Sequence, residues 1–341
     1  MERILVIQMK RIGDLVLTAP ALSRLRRAKP DAEITLLTMG AAGQLAAAIP
    51  GIDRHFNYRY RHLNLPIWAS ALLDRYDTVL DFNGSDRSVF LTWLSRADVR
   101  ATYEKRARGF WRELAYNRLS HAKLRPLHTI DHMDALLDAI DVPATDAVSP
   151  VLTVPEPARE RVGALLKDRG VEGPFALIHP GTAKEEKYWD PPRWAEVIRE
   201  CSTGPRRLPC VVTGGTDRYE RRHLEAILKH IATMPGVPAP IILAGKTTLL
   251  ETAAIVSRAS IALGVDTAAM HLAAAFEVPQ VVLFGPTNPY HWRPRQPSCR
   301  VVLAGHPGVM TEADYVQKLE ERSMAGIEVD QVLEAMATLP S

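Results

Sequence analysis

The stretch Arg3-Ile4-Leu5-Val6-Ile7-Gln8-Met9-Lys10-Arg11-Ile12-Gly13-Asp14-Leu15-Val16-Leu17-Thr18-Ala19-Pro20 decides the fold. Ile4 to Ile7 is a near-continuous apolar run, the pattern of a strand buried on both faces of a parallel sheet. It breaks into a short loop carrying Lys10, Arg11 and Gly13. Ile12, Leu15, Val16, Ala19 and Leu22 then recur at helical spacing. A strand, a loop and a helix in that order open a doubly wound α/β sheet, whose ligands bind at the carboxyl ends of the strands. Lys10 to Thr18 is therefore expected to form one wall of a site. Asp14 has two readings at this point. It is either a helix N-cap or a functional carboxylate at a basic helix start suited to phosphate. The three-glycine dinucleotide fingerprint is absent, so an ordinary Rossmann cofactor loop is not supported.

A chain of 341 residues suits two domains of ordinary size. With 47% hydrophobic and 24% charged residues it reads as globular, and a formal charge of +3 does not argue for nucleic-acid binding. Cys201, Cys210 and Cys299 are scattered and odd in number, which fits a reducing compartment and neither a disulfide framework nor a zinc pattern. The N-terminus lacks the segments of a secretory signal, and no apolar window is long enough to span a membrane.

Further along, Ala32–Thr38 reads as a strand, Ala41–Ile49 as a short helix, Val79–Phe82 as a strand and Ser88–Leu94 as a buried helix. Residues 96–125 differ, holding nine Lys or Arg against three acids, with Tyr103, Phe110, Trp111 and Tyr116 interleaved. Two readings stand: a solvated surface helix and loop with aromatic anchors, or a surface for an anionic acceptor or an acidic membrane face. His128–Ile140 is an expected helix. The proline-dense segment Asp141–Pro157 is the expected linker, with a brief strand over Val151–Val154.

The pattern then restarts. Strands are expected over Phe175–Ile178, Cys210–Thr213, Ile241–Leu243, Ser260–Leu263 and Gln280–Phe284. Helices are expected over Arg159–Lys167, Trp194–Cys201, Arg221–Ile231, Leu249–Ala259, Met270–Phe276, Thr311–Leu319 and Glu328–Leu339. Strand ends carrying Gly, Thr, Asp and Lys recur in this half, as a ligand lying across strand tips would require. Two such domains suggest a two-substrate transferase.

These residues carry a recognisable pattern. Gly13-Asp14 with Thr18 and Pro20 resembles the N-terminal motif of the bacterial ADP-heptose:lipopolysaccharide heptosyltransferases, glycosyltransferase family 9. His179-Pro180-Gly181 with Lys187 and Trp189 resembles the central motif. Gly245-Lys246-Thr247, followed by Leu250, Glu251, Ala253 and Ala254, resembles the next. Asp266 to Ala275 and Phe284-Gly285-Pro286-Thr287 with Pro289 resemble the last two.

The resemblance implies an inverting enzyme of the GT-B fold, two Rossmann-like doubly wound domains facing across a cleft. Residues 1–150 would bind the acceptor, 158–320 the nucleotide-sugar donor, and 321–341 would form a closing helix. No metal or other cofactor is implied, and the chain contains no Asp-x-Asp. The implied donor is ADP-L-glycero-β-D-manno-heptose. The implied acceptor is a Kdo or heptose residue of the anionic lipopolysaccharide inner core, on the cytoplasmic side of the inner membrane, with peripheral membrane contact. Ala268 stands where the family usually has glycine. Alanine would strain a positive φ there, or its methyl would tighten the sugar pocket.

On this reading Asp14 is the base that takes the acceptor proton, acting by orientation. Lys187 stabilises the leaving diphosphate, where charge builds in the transition state; the alternative is an exposed loop lysine. Thr18 and Thr182 would donate to phosphate. Asp266 would hold donor-sugar hydroxyls or be a buried N-cap, next to Thr267, and His271 would be a diphosphate or structural partner. Gly214, Gly245, Lys246 and Thr247 would shape the adenosine site, with Glu220 on the ribose. Lys10, Arg11, Arg106, Arg108 and Arg112 would meet the acceptor. Two other functions stay open: the same fold with another acceptor, glycan or protein, or another nucleotide sugar, and a non-catalytic nucleotide-sugar binding protein.

Overall fold

The computed structural model describes residues 1–123, 125–144 and 152–340. They form two compact units, Met1–Thr153 and Val154–Ser341.

Unit 1 runs β1 (Arg3–Ile7), α1 (Ile12–Ala28), β2 (Glu33–Met39), a 3₁₀ helix (Gly40–Ala48), β3 (Arg54–Tyr58), α2 (Leu65–Leu73), β4 (Thr78–Asp81), α3 (Asp86–Ser95), β5 (Val99–Tyr103), α4 (Glu104–Ala107), α5 (Phe110–Ala115), β6 (Arg118–Ser120) and α6 (Thr129–Asp138). Its six strands are all parallel, in the order β3-β2-β1-β4-β5-β6. The apolar run of β1 lies near the centre of that order, with Val6 in register with Leu36 on one side and Leu80 on the other. Ile4, Val6 and Ile7 are almost wholly buried, as a strand covered on both faces should be.

Unit 2 runs α7 (Glu156–Asp168), β7 (Ala176–His179), a 3₁₀ turn (Glu185–Lys187), α8 (Pro191–Thr203), β8 (Cys210–Val212), α9 (Arg218–Ala232), β9 (Ile241–Ile242), α10 (Leu249–Val256), β10 (Ile261–Val265), α11 (Ala268–Ala275), β11 (Gln280–Phe284), α12 (Pro289–Trp292), β12 (Cys299–Leu303) and α13 (Val329–Ala337). The strand order is β12-β11-β10-β7-β8-β9, again all parallel. Counted from each unit's own first strand, both sheets have the order 3-2-1-4-5-6, the dinucleotide-fold order. It reverses between the first and fourth strands, where ligands bind. The core of unit 2 gathers Trp189 and Trp194, edge-to-face at 5.1 Å, with Ile178, Leu263 and Leu283. α13 closes this core through Val332, Ala335 and Met336.

Three expectations need correction. Residues 96–125 are not one surface helix and loop. They contain β5 and β6 with two short helices between them. The arginines there tie down backbone. Arg100 donates to the Ala97 and Ala115 carbonyls, and Arg112 to the Gly84 carbonyl. Thr311–Leu319 is not a helix. A box between Thr311 and Asp314 closes one 3₁₀ turn, Glu312–Asp314, and Tyr315 continues extended under the Arg293 guanidinium, 3.8 Å away. The short helix expected over 41–49 is present as a 3₁₀ helix, Gly40–Ala48. Leu152–Val154 form no strand, although the Thr153 N–H donates to the Ala48 carbonyl at 2.8 Å, and Val151 lies outside the described residues.

Candidate active site

In unit 2 the first and fourth strands, β7 and β10, lie side by side. β7 delivers His179, whose Nδ1 is 2.9 Å from the Thr213 hydroxyl at the end of β8. Burial pushes the His179 imidazole down to about 4, which keeps it neutral at ordinary pH. The following turn, Pro180 to Thr182, is held by the Tyr188 hydroxyl, which donates to the Thr182 carbonyl at 2.9 Å. Lys187, at the end of the 3₁₀ turn, reaches the tip of β10. Its Nζ donates to Asp266 Oδ2 at 2.5 Å and to the Asp266 carbonyl at 3.3 Å. The two side chains are only 13% and 10% exposed. Lys187 is therefore not a loose loop lysine.

Asp266 is not the cap of α11. Thr267 holds that position, without a side-chain cap bond, and its Oγ1 is buried with no hydrogen-bond partner among the described residues. Ala268 is the first residue of α11 and is not among the residues with positive φ. The strain that alanine would suffer at positive φ does not arise. His271 is buried one turn further on.

A cavity of about 380 Å³ opens at the tips of β7, β8 and β9. Gly181, Gly214 and Gly245 line it, with Lys246 and one face of α9 that includes Glu220. The Gly215 N–H donates to Glu220 Oε2. A Cβ on Gly181 would stand 2.8 Å from that same oxygen, so glycine is what lets the carboxylate reach the first strand tip. Gly245 has φ +69, a conformation glycine adopts at no steric cost. Four of the expected donor-side residues, Gly214, Glu220, Gly245 and Lys246, thus share one cavity. Thr182 is buried beside the β7 tip. Thr247 is turned to Thr252, their hydroxyls 2.9 Å apart at the start of α10. The sequence reading missed Leu224 and Leu228 of the cavity wall; their i, i+4 spacing with Glu220 was the available signal.

In unit 1 the tips of β1 and β4 are also neighbours. Asp14 is the third residue of α1 and not its cap, which is Arg11 by position. Lys10 is pulled from its ordinary 10.5 to about 8, chiefly by burial and then by the Arg106 charge, against the opposing pull of Asp14 and Asp81. Thr18 corrects an expectation. It is fully buried, its hydroxyl donates to the Asp14 carbonyl at 2.7 Å, and it accepts from Gln8 Nε2 at 2.7 Å. It fixes the first turn of α1 and has no proton to offer a phosphate.

Asp81, absent from the sequence reading, is wholly buried. Its Oδ1 accepts from the Asn83 and Gly84 N–H groups at 2.7 and 2.9 Å, and its Oδ2 from the Tyr116 hydroxyl at 2.5 Å. Burial, then Asp81, pushes the Tyr116 phenol far up. Arg106 donates to the Asn83 carbonyl, and Arg112 is paired with Asp86 at 2.5 Å. These two expected acceptor residues are therefore braces of the turn 83–86. Arg108 and Arg11 are exposed. His132 lies buried against Tyr103, ring centroids 4.0 Å apart, and burial followed by Arg106 and Lys10 pushes it down to about 4.

With this geometry in place, the sequence matches glycosyltransferase family 9 (heptosyltransferase) over residues 68–322. The chain belongs to glycosyltransferase family 9. The family 9 chain is 26% identical over 298 residues to lipopolysaccharide heptosyltransferase 3 of Escherichia coli, covering 83% of each protein. Its fold superposes on a family 9 glycosyl transferase from Veillonella parvula with a TM-score of 0.83 at 22% identity, covering 99% and 96% of the two chains. The E. coli heptosyltransferase WaaC, solved with ADP, gives 0.71 at 20% identity, covering 98% and 97%. This family 9 glycosyltransferase has the α/β GT-B fold, and no helix among its described residues is long and apolar enough to cross a membrane.

Proposed function

We propose that this glycosyltransferase moves heptose from ADP-L-glycero-β-D-manno-heptose to a Kdo or heptose of the lipopolysaccharide inner core, with inversion. It would act on the cytoplasmic side of the inner membrane, in peripheral contact with it. The observation that carries the reading is the cavity at the β7, β8 and β9 tips together with the Lys187–Asp266 pair at the tip of the next strand, β10. An acid near the tip of the second strand is where a doubly wound domain holds ribose hydroxyls. Glu220 is the candidate for that role, its carboxylate accepting from the Gly215 N–H, a donor that ribose hydroxyls would replace.

In the transfer, the acceptor oxygen bonds to the anomeric carbon as that carbon's bond to the β-phosphate oxygen breaks. Asp14 takes the acceptor proton, and ADP leaves with the electron pair. Lys187, turning from Asp266 toward the diphosphate, stabilises charge that exists fully only as the bond breaks. Asp266, relieved of the lysine, is free to accept from sugar hydroxyls. Lys10 and Arg11 supply positive charge to the anionic acceptor.

Calorimetric titration with ADP, UDP and GDP tests the donor half. ADP-selective binding that weakens about tenfold or more in Lys187→Ala is the expected result, the size of one lost charged hydrogen bond. A preference for UDP or GDP would overturn the donor assignment.

A further inference from the structure

The outer helices of unit 1 carry apolar surface that their own core does not use. α2 packs beside α3, and α3 beside α5. Each sends some apolar residues inward and turns others out. Ile67 and Ala71 of α2 and Leu91 of α3 are in the core. Leu72, Leu73, Phe90 and Trp93 are about half exposed or more, and Phe110 and Trp111 on α5 are 71% and 77% exposed. The rings form contacts rather than lying singly. Trp68 meets Phe90 edge-on at 5.6 Å, Phe90 stacks on Trp93 at 5.9 Å, and Phe110 meets Trp111 at 5.5 Å. Single exposed apolar residues need no explanation, but a cluster across three helices marks a contact surface.

The charge around the rings is mainly basic. Arg87 lies over the Tyr60 ring at 5.2 Å, Arg96 follows α3 and Arg108 precedes α5. All three are exposed, and their one carboxylate interaction among the described residues is the longer-range pull of Arg108 on Glu104. Of the nearby acids, Asp86 is paired with Arg112, Glu104 with His121 and Asp74 with Arg54, while Glu113 on α5 is exposed and accepts from the Gly109 N–H. A second copy laid on this face would set arginine against arginine. A surface of phosphates complements it, and exposed Trp and Phe beside Arg is the composition that settles at a membrane–water interface.

The geometry points to this face as a docking surface for an anionic lipid bilayer. Trp93, Phe110 and Trp111 enter the headgroup layer, and Arg87, Arg96 and Arg108 meet lipid phosphates. It deepens the transferase reading and rests on it for its purpose, since a lipid-linked acceptor calls for a surface contact; the contact itself is tested without donor or acceptor.

The full chain is sedimented with phosphatidylcholine vesicles, with and without phosphatidylglycerol. The expected result is binding that needs phosphatidylglycerol and falls with added salt. Quenching of tryptophan fluorescence by brominated lipid should accompany it. F110S/W111S should weaken binding roughly tenfold or more, since two rings lose their buried area. Arg87→Gln with Arg96→Gln should weaken it on phosphatidylglycerol. The melting temperature and ADP affinity of F110S/W111S should stay at wild-type values, because both side chains are in solvent. Absent binding to phosphatidylglycerol vesicles, equal binding to phosphatidylcholine alone, or unchanged binding by F110S/W111S would each overturn the proposal. So would a wild-type dimer in sedimentation velocity that F110S/W111S dissolves, which would make the face a self-association surface. Failure of transfer to a lipid-core glycan, with vesicle binding intact, would remove the acceptor assignment and leave the docking surface standing.

Discussion

In unit 1 the acid at the fourth-strand tip is Asp81, and in unit 2 the corresponding acid is Asp266, on sheets of the same strand order. Asp81 is satisfied by partners that cannot leave: two backbone N–H groups of its own turn and a buried tyrosine. Asp266 is satisfied by one flexible side chain, Lys187, from a separate turn. The first acid is used to hold a loop in shape. On the proposed reading the second is held in waiting, because a ligand carrying its own anion and hydroxyls can exchange with both members of the pair. One fold therefore places a carboxylate at the same topological point twice, and the donors around it decide whether it serves structure or chemistry. In unit 1 the acid proposed for chemistry is instead Asp14, in the first turn of α1, near Lys10, whose charge burial makes costly to keep.

The largest effect expected from this division is at Asp14. Asp14→Asn should lower kcat by about two to four decades, the range for a general base, while ADP affinity, carried by unit 2, stays unchanged. Single-turnover rates alongside calorimetry check this. Near wild-type turnover would take Asp14 out of the base role.

Lys10 sharpens the comparison through pH. Its folded value of about 8 lies below its ordinary 10.5. Below 8 both folded and unfolded chains carry the proton, and burial of the charge costs stability. Between 8 and 10.5 the unfolded chain binds a proton that the folded chain has released, so this group's contribution to stability rises with pH across that window. Lys10→Met should remove that rise, read as melting temperature against pH. If Lys10 attracts the acceptor, KM for the acceptor should climb above pH 8 in the wild type and stay level in Lys10→Arg, which keeps its charge.

Tyr116→Phe tests the structural half. It leaves one oxygen of the buried Asp81 without its donor, at a cost of about 1–3 kcal/mol in urea unfolding. Donor affinity should not change, because the residue braces unit 1. A loss of ADP binding would mean that Asp81 does more than hold its loop.

How much of this was legible in the sequence follows the same physics. The central strands and their Gly, Thr and Asp tips could be read because a strand buried on both faces must be continuously apolar, as in Ile4–Ile7 and Gln280–Phe284. β3, with Arg54, His55 and Asn57, and β6, with Arg118 and Ser120, are edge strands with partly solvated faces, so no apolar run announces them. The basic stretch hid β5 and β6 for a further reason. Arg100, Arg106 and Arg112 cap backbone carbonyls, a use of charge that counting charges cannot separate from binding. The Lys187–Asp266 pair joins residues far apart in the chain, and only the fold brings them together. Asp81 had a readable signal, an acid near the end of an apolar strand just before Asn83-Gly84, and it passed as part of the strand Val79–Phe82.

The smallest expected effect is at Ala268, and its smallness is informative. Glycine is the family's usual residue there, and a positive φ would have made alanine a source of strain that Ala268→Gly relieves. The residue instead opens α11 with ordinary helical backbone. Glycine then brings only extra unfolded-state freedom, which costs at most about 1 kcal/mol and less at a helix end than within it. Ala268→Gly should therefore lower the melting temperature slightly or leave it unchanged, and never raise it. Any gain must appear elsewhere. The methyl is half-buried beside Asp266 and Thr267, so its removal could only widen the space for a sugar. Parallel titrations with ADP and ADP-heptose separate the two: unchanged ADP affinity with altered ADP-heptose affinity would make Ala268 a determinant of which sugar is held, and no change in either would make the alanine a neutral substitution at a position whose backbone any residue can adopt.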